Sequence, residues 1–139
     1  MLDIAKIKES MYAGLEPMGL MIYSERPEAT KEKRTEFLVA SLPVGFRSRE
    51  IGGQEGSYDA NVSTARIEIF VKDDMKASFP NEAAELRLSE LTTSLLGLFP
   101  IIDRTNDVGF VKPRVLNSCS SDSNGYHYCV VQCTVSTLL

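Results

Sequence analysis

The amino-acid sequence predicts an α+β fold, with a mainly antiparallel sheet and two helices packed on it. Three observations support this class. Two segments repeat apolar residues at spacings of three and four, several others alternate or are apolar throughout as strands are, and the strand segments are bunched rather than separated by helices. The predicted order is helix, three strands, helix and two strands, in a single domain over residues 1–139.

The first helix is marked by apolar residues that recur at helical spacing: Ile4, Ile7, Met11 and Leu15. Asp3 precedes this run and is expected to cap it, while Gly14 and Pro17 are expected to stop it. Residues 18–24 then predict a short apolar strand. A charged segment, residues 26–34, follows and is expected to be a solvated loop.

Two longer strands are predicted next. Residues 35–47 are apolar on both alternations, which predicts a strand covered on both faces, at an edge or bulged near Pro43 because proline cannot donate to a ladder. In residues 61–72, one alternation is apolar and is expected to face the core: Ala65, Ile67, Ile69 and Val71. The glycine-rich residues 52–57 between them predict the tip of a long hairpin.

The second half of the chain predicts a helix and two strands. The helix, of about five turns, is marked by a helical repeat: Ala84, Leu88, Leu91, Leu95 and Leu98. Pro80 fits its first turn, Ser78 or Asn81 is expected to cap it, and Pro100 is expected to end it. Residues 110–116 and 126–137 predict strands joined by a polar connection, residues 117–125.

The composition limits the classes of function. At 43% hydrophobic and 24% charged, the 139 residues are typical of a globular domain that can bury a hydrophobic core without the help of disulfide bonds. Three cysteines in the last quarter do not form a disulfide framework, so we expect reduced thiols. No signal peptide or membrane span is expected. The net charge of −4 argues against specific nucleic-acid binding.

No residue pattern predicts a catalytic, metal or cofactor site, and the chain is not expected to be an enzyme. His127, Cys129 and Cys133 share one strand parity, but the two cysteines are roughly 13 Å apart along a strand, too far to share a zinc ion. They are expected to be buried instead. A nucleophilic Cys119 beside His127 lacks a third, orienting group. Asp73 and Asp74 are expected to form a turn after the strand.

Five segments in order carry a family resemblance: the helix Ile4–Leu15, TEFLVASLPV followed by IGGQEGS, STARIEIFVKD, NEAAELRLSELTTSLLGLF and YHYCVVQCTVSTLL. In this order the chain resembles the tail terminator (minor tail protein) family of long-tailed bacteriophages. Two features depart from that pattern, the charged residues 26–34 and a well-formed strand within residues 105–116.

The resemblance implies a structural protein that caps the tail tube as a ring, commonly a hexamer, and takes part in head–tail joining. Its implied partners are other copies of itself, the tail tube protein and a head–tail connector protein, in the bacterial cytoplasm during assembly and then in the virion. The implied contact residues lie on or beside the hairpin at residues 49–59: Arg49, Gly52, Gly53, Gln54, Glu55, Tyr58, Phe46 and Phe70.

Two alternatives stay open beside this reading. One is another assembly protein, a head–tail connector or an adaptor of an injection machine. The other is a small ligand-binding module or cysteine-based enzyme built around Cys119 and His127. The ring hypothesis further expects Phe46 and Phe70 to leave apolar surface exposed in the monomer, because such surface usually marks an interface.

Overall fold

The computed structural model describes residues 3–28, 34–49, 60–122 and 124–138. In these ranges the chain forms two α-helices, α1 (Ile4–Leu15) and α2 (Pro80–Leu96), and one curled sheet. Its strands are β1 (Met21–Tyr23), β2 (Glu36–Ser41), β3 (Arg47–Arg49), β4 (Ala60–Lys72), β5 (Ile101–Asp103), β6 (Val108–Ser121) and β7 (Tyr126–Leu138). The fold class is therefore α+β, as predicted.

The sheet has the strand order β1-β2-β4-β7-β6-β5, and β3 pairs with β4 beside β2. Every pairing is antiparallel except that of β1 with β2. Both helices pack on one face, which we call the helix-covered face, and the core there joins them to β2, β4, β6 and β7. We call the opposite side the open face.

Helix α1 begins where the sequence predicts, because the Asp3 side chain accepts a hydrogen bond from the Lys6 backbone N–H. The helix ends at Leu15, between Gly14 and Pro17 as predicted, and a short 3-10 helix, Glu16–Met18, follows. Gly14 also permits close packing. A Cβ there would lie 2.5 Å from the Ile101 side chain, so glycine lets α1 approach β5 closely.

Pro43 interrupts a strand, as predicted. Ser41 pairs with Arg66 and Arg47 with Val62, so residues 42–46 oppose only residues 63–65 of β4. The predicted strand 35–47 is thus two strands, β2 and β3, on one edge of β4 with a bulge between them. Its apolar content on both alternations is also explained, because all four residues 37–40 are buried.

Helix α2 buries four residues of its predicted apolar stripe, whereas the fifth, Leu98, lies beyond the end of the helix and is half-buried. The four buried residues are Ala84, Leu88, Leu91 and Leu95. The predicted caps are wrong, because the cap position is Phe79, which has no side-chain oxygen to accept a hydrogen bond. Pro80 lies in the first turn as expected, and it has no backbone N–H to satisfy. Neither helix in the described ranges is long and apolar enough to cross a membrane.

The end of the chain departs from the prediction in two ways. A short strand, β5, pairs with the start of β6 where none was predicted. Strand β6 also continues to Ser121, through residues predicted to form a polar connection. Three register shifts along its pairing with β7 absorb extra residues, so a polar, bulged segment stays in the sheet. The predicted end of this strand, at residue 116, is therefore wrong, because it was placed from the polar composition of the residues that follow.

Candidate functional site

Strands β3 and β4 are the arms of an antiparallel hairpin, since Arg47 pairs with Val62 and Arg49 with Ala60. The residues between the arms lie outside the described ranges, as does the side chain of Arg49. Five of the predicted contact residues fall on that connection: Gly52, Gly53, Gln54, Glu55 and Tyr58. Their part in subunit or tube contacts stays a prediction.

The expectation of exposed apolar surface is wrong for Phe70, whereas Phe46 keeps part of its surface exposed. Phe70 is 2% exposed on the open face, where its ring stacks on Phe37 at 4.9 Å and on Tyr128 at 5.2 Å between centroids. Phe46 is half-buried against the core of the helix-covered face. Burial of Phe70 within the monomer removes its share of the apolar surface on which the expected contact depended.

Arg26 covers this aromatic cluster from outside. Its guanidinium lies 4.7 Å from the ring centroid of Tyr128 and 5.3 Å from that of Phe70, and it pairs with the buried carboxylate of Glu68. The hydrogen bond to Glu68 raises the pKa of Arg26 above its ordinary value. One end of the open face is thus covered by the chain that follows β1, and the buried Glu68 carboxylate is paired with a guanidinium that remains half exposed.

The other end of the open face is basic and has no covering element among the described residues. Arg66 on β4 lies opposite Gln132 on β7, which lies opposite Arg114 on β6. Beside this row is a hollow of about 400 Å³, which we call the basic hollow, lined by Thr64, Lys112, Arg114, Gln132, Cys133 and Thr134. No carboxylate is among these lining residues. The buried Nε of Arg66 has no hydrogen-bond partner in the described ranges.

On the helix-covered face, Nδ1 of His127 lies within hydrogen-bond distance of a carboxylate oxygen of Asp73. The pair is largely buried, with side-chain exposures of 10% and 20%. Asp73 follows β4 directly, and Val71 at the end of that strand pairs with His127. The sequence reading missed this contact because only the strand register reveals it. Asp74 does form the expected turn, accepting a hydrogen bond from the backbone N–H of Lys76 at 3.0 Å.

The three thiols are free, and two of them are buried as predicted. Cys119 lines a groove of about 500 Å³ between α2 and β6, together with Glu85 and Thr92. Burial, and next the charge of Glu85, raise the pKa of Cys119, which favours the neutral thiol over the nucleophilic thiolate. The described residues contain no group of three or more His, Cys, Asp or Glu side chains placed to hold a metal ion.

Comparison with known proteins does not assign the chain to a class. No protein family model matches it, and a search of curated proteins finds no match. The fold and the candidate surfaces are therefore the observations from which a function can be proposed: a hairpin arm, an open face with a basic hollow, and a groove with a neutral thiol.

Proposed function

We propose that this chain is a structural assembly protein of a phage or prophage, which caps a tail tube as an oligomeric ring and takes part in head–tail joining. The order of the sequence segments supports this function, since in that order the sequence resembles the tail terminator family. The proposed partners are further copies of the chain, the tail tube protein and a head–tail connector protein.

The observation that carries the proposal is the asymmetry of the sheet. Both helices pack on one face, whereas the basic end of the other face has no covering element in the described ranges. An antiparallel sheet can keep one face in water, so an uncovered face alone is ordinary. Here the uncovered end of the face lies next to the β3–β4 hairpin, and β4 is also a central strand of the sheet. A hairpin anchored in this way is held rigidly and can reach a neighbouring subunit.

The charge of the chain fits a ring through which DNA passes. Its net charge is −4, and a polyanion is repelled by an acidic wall rather than retained on it. In this proposal the protein assembles in the bacterial cytoplasm and then becomes part of the virion. Residues 49–59 contribute to ring or tube contacts.

Electron microscopy and sedimentation velocity of the purified full chain test the proposal. We expect closed rings, formed by the protein alone or on assembled tail tubes. A head-to-tail contact closes into a ring only when the rotation per subunit fits, so the tube can assist closure. A protein that stays monomeric at its highest soluble concentration, and also beside tail tubes, contradicts the proposed function.

A pair of variants then tests the hairpin. Deleting residues 52–57 is expected to leave a folded monomer that no longer forms rings or caps tubes. The matched control leaves residues 49–59 intact and replaces the exposed Arg104 by glutamate, and it is expected to form rings like the wild type. Equal ring formation by the deletion variant and the wild type would show that the hairpin makes no essential contact.

A further inference from the structure

The outer face of α2 is acidic around one exposed apolar side chain. Glu82, Glu85, Leu86 and Ser89 follow the spacing i, i+3, i+4 and i+7, so they share one face of the helix, and all four are exposed. We call these four residues the outer face of α2. Leu86 is 60% exposed between the carboxylates. A lone exposed leucine is ordinary, but Glu82 and Glu85 lie on the same face as this one, and the adjacent Arg87 is engaged in an ion pair with Glu36.

The basic hollow has the opposite charge and a concave shape. Arg114 and Lys112 line it, and Arg66 lies two strands away in the same row. Lys112 has a backbone φ of +56°, in the left-handed region that a lysine rarely adopts, where β6 bulges beside Pro113. This bulge inserts one extra residue, which brings Arg114 opposite Gln132, so the local backbone shapes the hollow.

These two surfaces lie back to back. Helix α2 packs on β4, β6 and β7 from the helix-covered face, and the row that contains Arg66 and Arg114 spans the same three strands on the open face. Opposite sides of one molecule that complement each other allow each copy to receive one neighbour and dock on another. A contact of this kind is head-to-tail, and it produces closed rings or open filaments.

We propose that the basic hollow of one copy receives the outer face of α2 of a second copy. In this contact, Leu86 of the second copy lies over the hollow of the first copy. Glu82 and Glu85 of the second copy face Arg114 and Lys112 of the first. This inference rests on the proposed function, because it names the subunit contact of the ring. The neighbour's helix supplies a covering layer at the end of the open face where none of the described elements provides one.

The charges favour a second copy over a nucleic acid as the occupant. Guanidinium and carboxylate groups match in geometry, and a hollow without a carboxylate in its described lining offers cations that an acidic helix face can pair with. The chain as a whole carries 19 acidic and 15 basic residues, so a long polyanion is repelled by the rest of the surface. A short acidic helix presents its charge only at the contact.

A charge-swap experiment tests the contact. Arg114→Glu alone and Glu82→Arg alone are each expected to raise the protein concentration needed for assembly by about tenfold or more, because each places like charges in contact. The double variant carries both changes and is expected to regain assembly, since the new carboxylate in the hollow faces the new guanidinium on the helix in every copy, while Lys112 still faces Glu85. Sedimentation velocity and electron microscopy of the full chain measure assembly.

The controls make the same charge changes elsewhere. Arg104→Glu and Glu25→Arg alter exposed residues outside both surfaces and are expected to assemble like the wild type. All the substituted side chains are exposed, so thermal unfolding of each variant is expected to match that of the wild type. A single variant that lost assembly through misfolding would unfold early, and the double variant would then fail to recover.

The outcomes separate this inference from the proposed function. If the wild type forms rings and both single variants assemble equally well, the contact is wrong while the ring proposal stands. If the wild type forms no rings even beside tail tubes, both are overturned. If Arg114→Glu abolishes binding to a duplex DNA probe but leaves self-association unchanged, the hollow binds nucleic acid and the inference is wrong. Recovery in the double variant supports it.

Discussion

The helix-covered face and the open face of the sheet differ in which side chains they carry and in how those side chains are packed. On the helix-covered face, apolar side chains from every second position of the central strands meet the stripes of two helices, and Ile67, Ile69 and Val131 are at most 1% exposed. On the open face, the aromatic cluster around Phe37 and Phe70 occupies one end and the basic hollow the other. One sheet thus carries a continuous core on one side and a divided surface on the other.

The difference shows which interactions a simple alternating pattern encodes. Along β4, the helix-covered alternation is apolar from Ala65 to Val71, so a regular pattern suffices to bury it. Between residues 64 and 70, the residues of β4 that face the open side are of four different kinds: Thr64, Arg66, Glu68 and Phe70. Each of those positions depends on a particular neighbour, such as Arg26 over Phe70.

The largest effect is expected from a test of the divided open face. Phe70→Ala should lower the free energy of unfolding by about 3–5 kcal/mol, because it removes a buried ring from the aromatic cluster and leaves a cavity. Urea unfolding of the wild type and the variant measures the change. Thr64→Ala, on the same face of the same strand but beside the hollow, should cost no more than about 1 kcal/mol.

The pair of variants distinguishes a monomer core from a contact surface. If Phe70→Ala left the stability of the monomer unchanged and weakened only self-association, then Phe70 would belong to a subunit contact and the division of the open face would be wrong. A loss of stability independent of protein concentration is the expected result.

A second prediction concerns the helix-covered face. Leu91 is 6% exposed in the core under α2, so Leu91→Ala should lower the free energy of unfolding by about 2–5 kcal/mol. Leu86→Ala on the outer face of the same helix should change it by no more than about 0.5 kcal/mol. Urea unfolding compares the two variants. Equal effects of the two substitutions would contradict the orientation of α2 on the sheet.

The sequence predicted the elements of the helix-covered face better than the contacts of the open face. The helical stripe of α2, the burial of β2 on both faces and the interruption at Pro43 all follow from local periodicity and from the missing N–H of proline. The row that joins Arg66 to Arg114 could not be predicted, because the bulges of β6 set its register. The contact of His127 with Asp73 also depends on pairing between distant segments.

The third prediction uses a thiol to test how dry the helix-covered face is. Burial raises the pKa of Cys133 to about 11 from the model-compound value of 9.0, because the thiolate cannot be solvated there. The folded protein therefore holds the proton more tightly than the unfolded chain. This contribution to stability is complete below the unfolded pKa and is lost as the pH rises toward the folded one.

Between pH 9 and pH 10, this loss from Cys133 should amount to about 1 kcal/mol of unfolding free energy. Other groups titrate in the same range, so the measurement is the difference between the wild type and Cys133→Ser, taken by urea unfolding in the presence of a reductant. The serine variant is expected to lose less stability over that interval, because its hydroxyl does not ionise there. Parallel losses in the two proteins would mean that water reaches Cys133 through the sheet, and that the helix-covered face is no drier at this position than the hollow behind it.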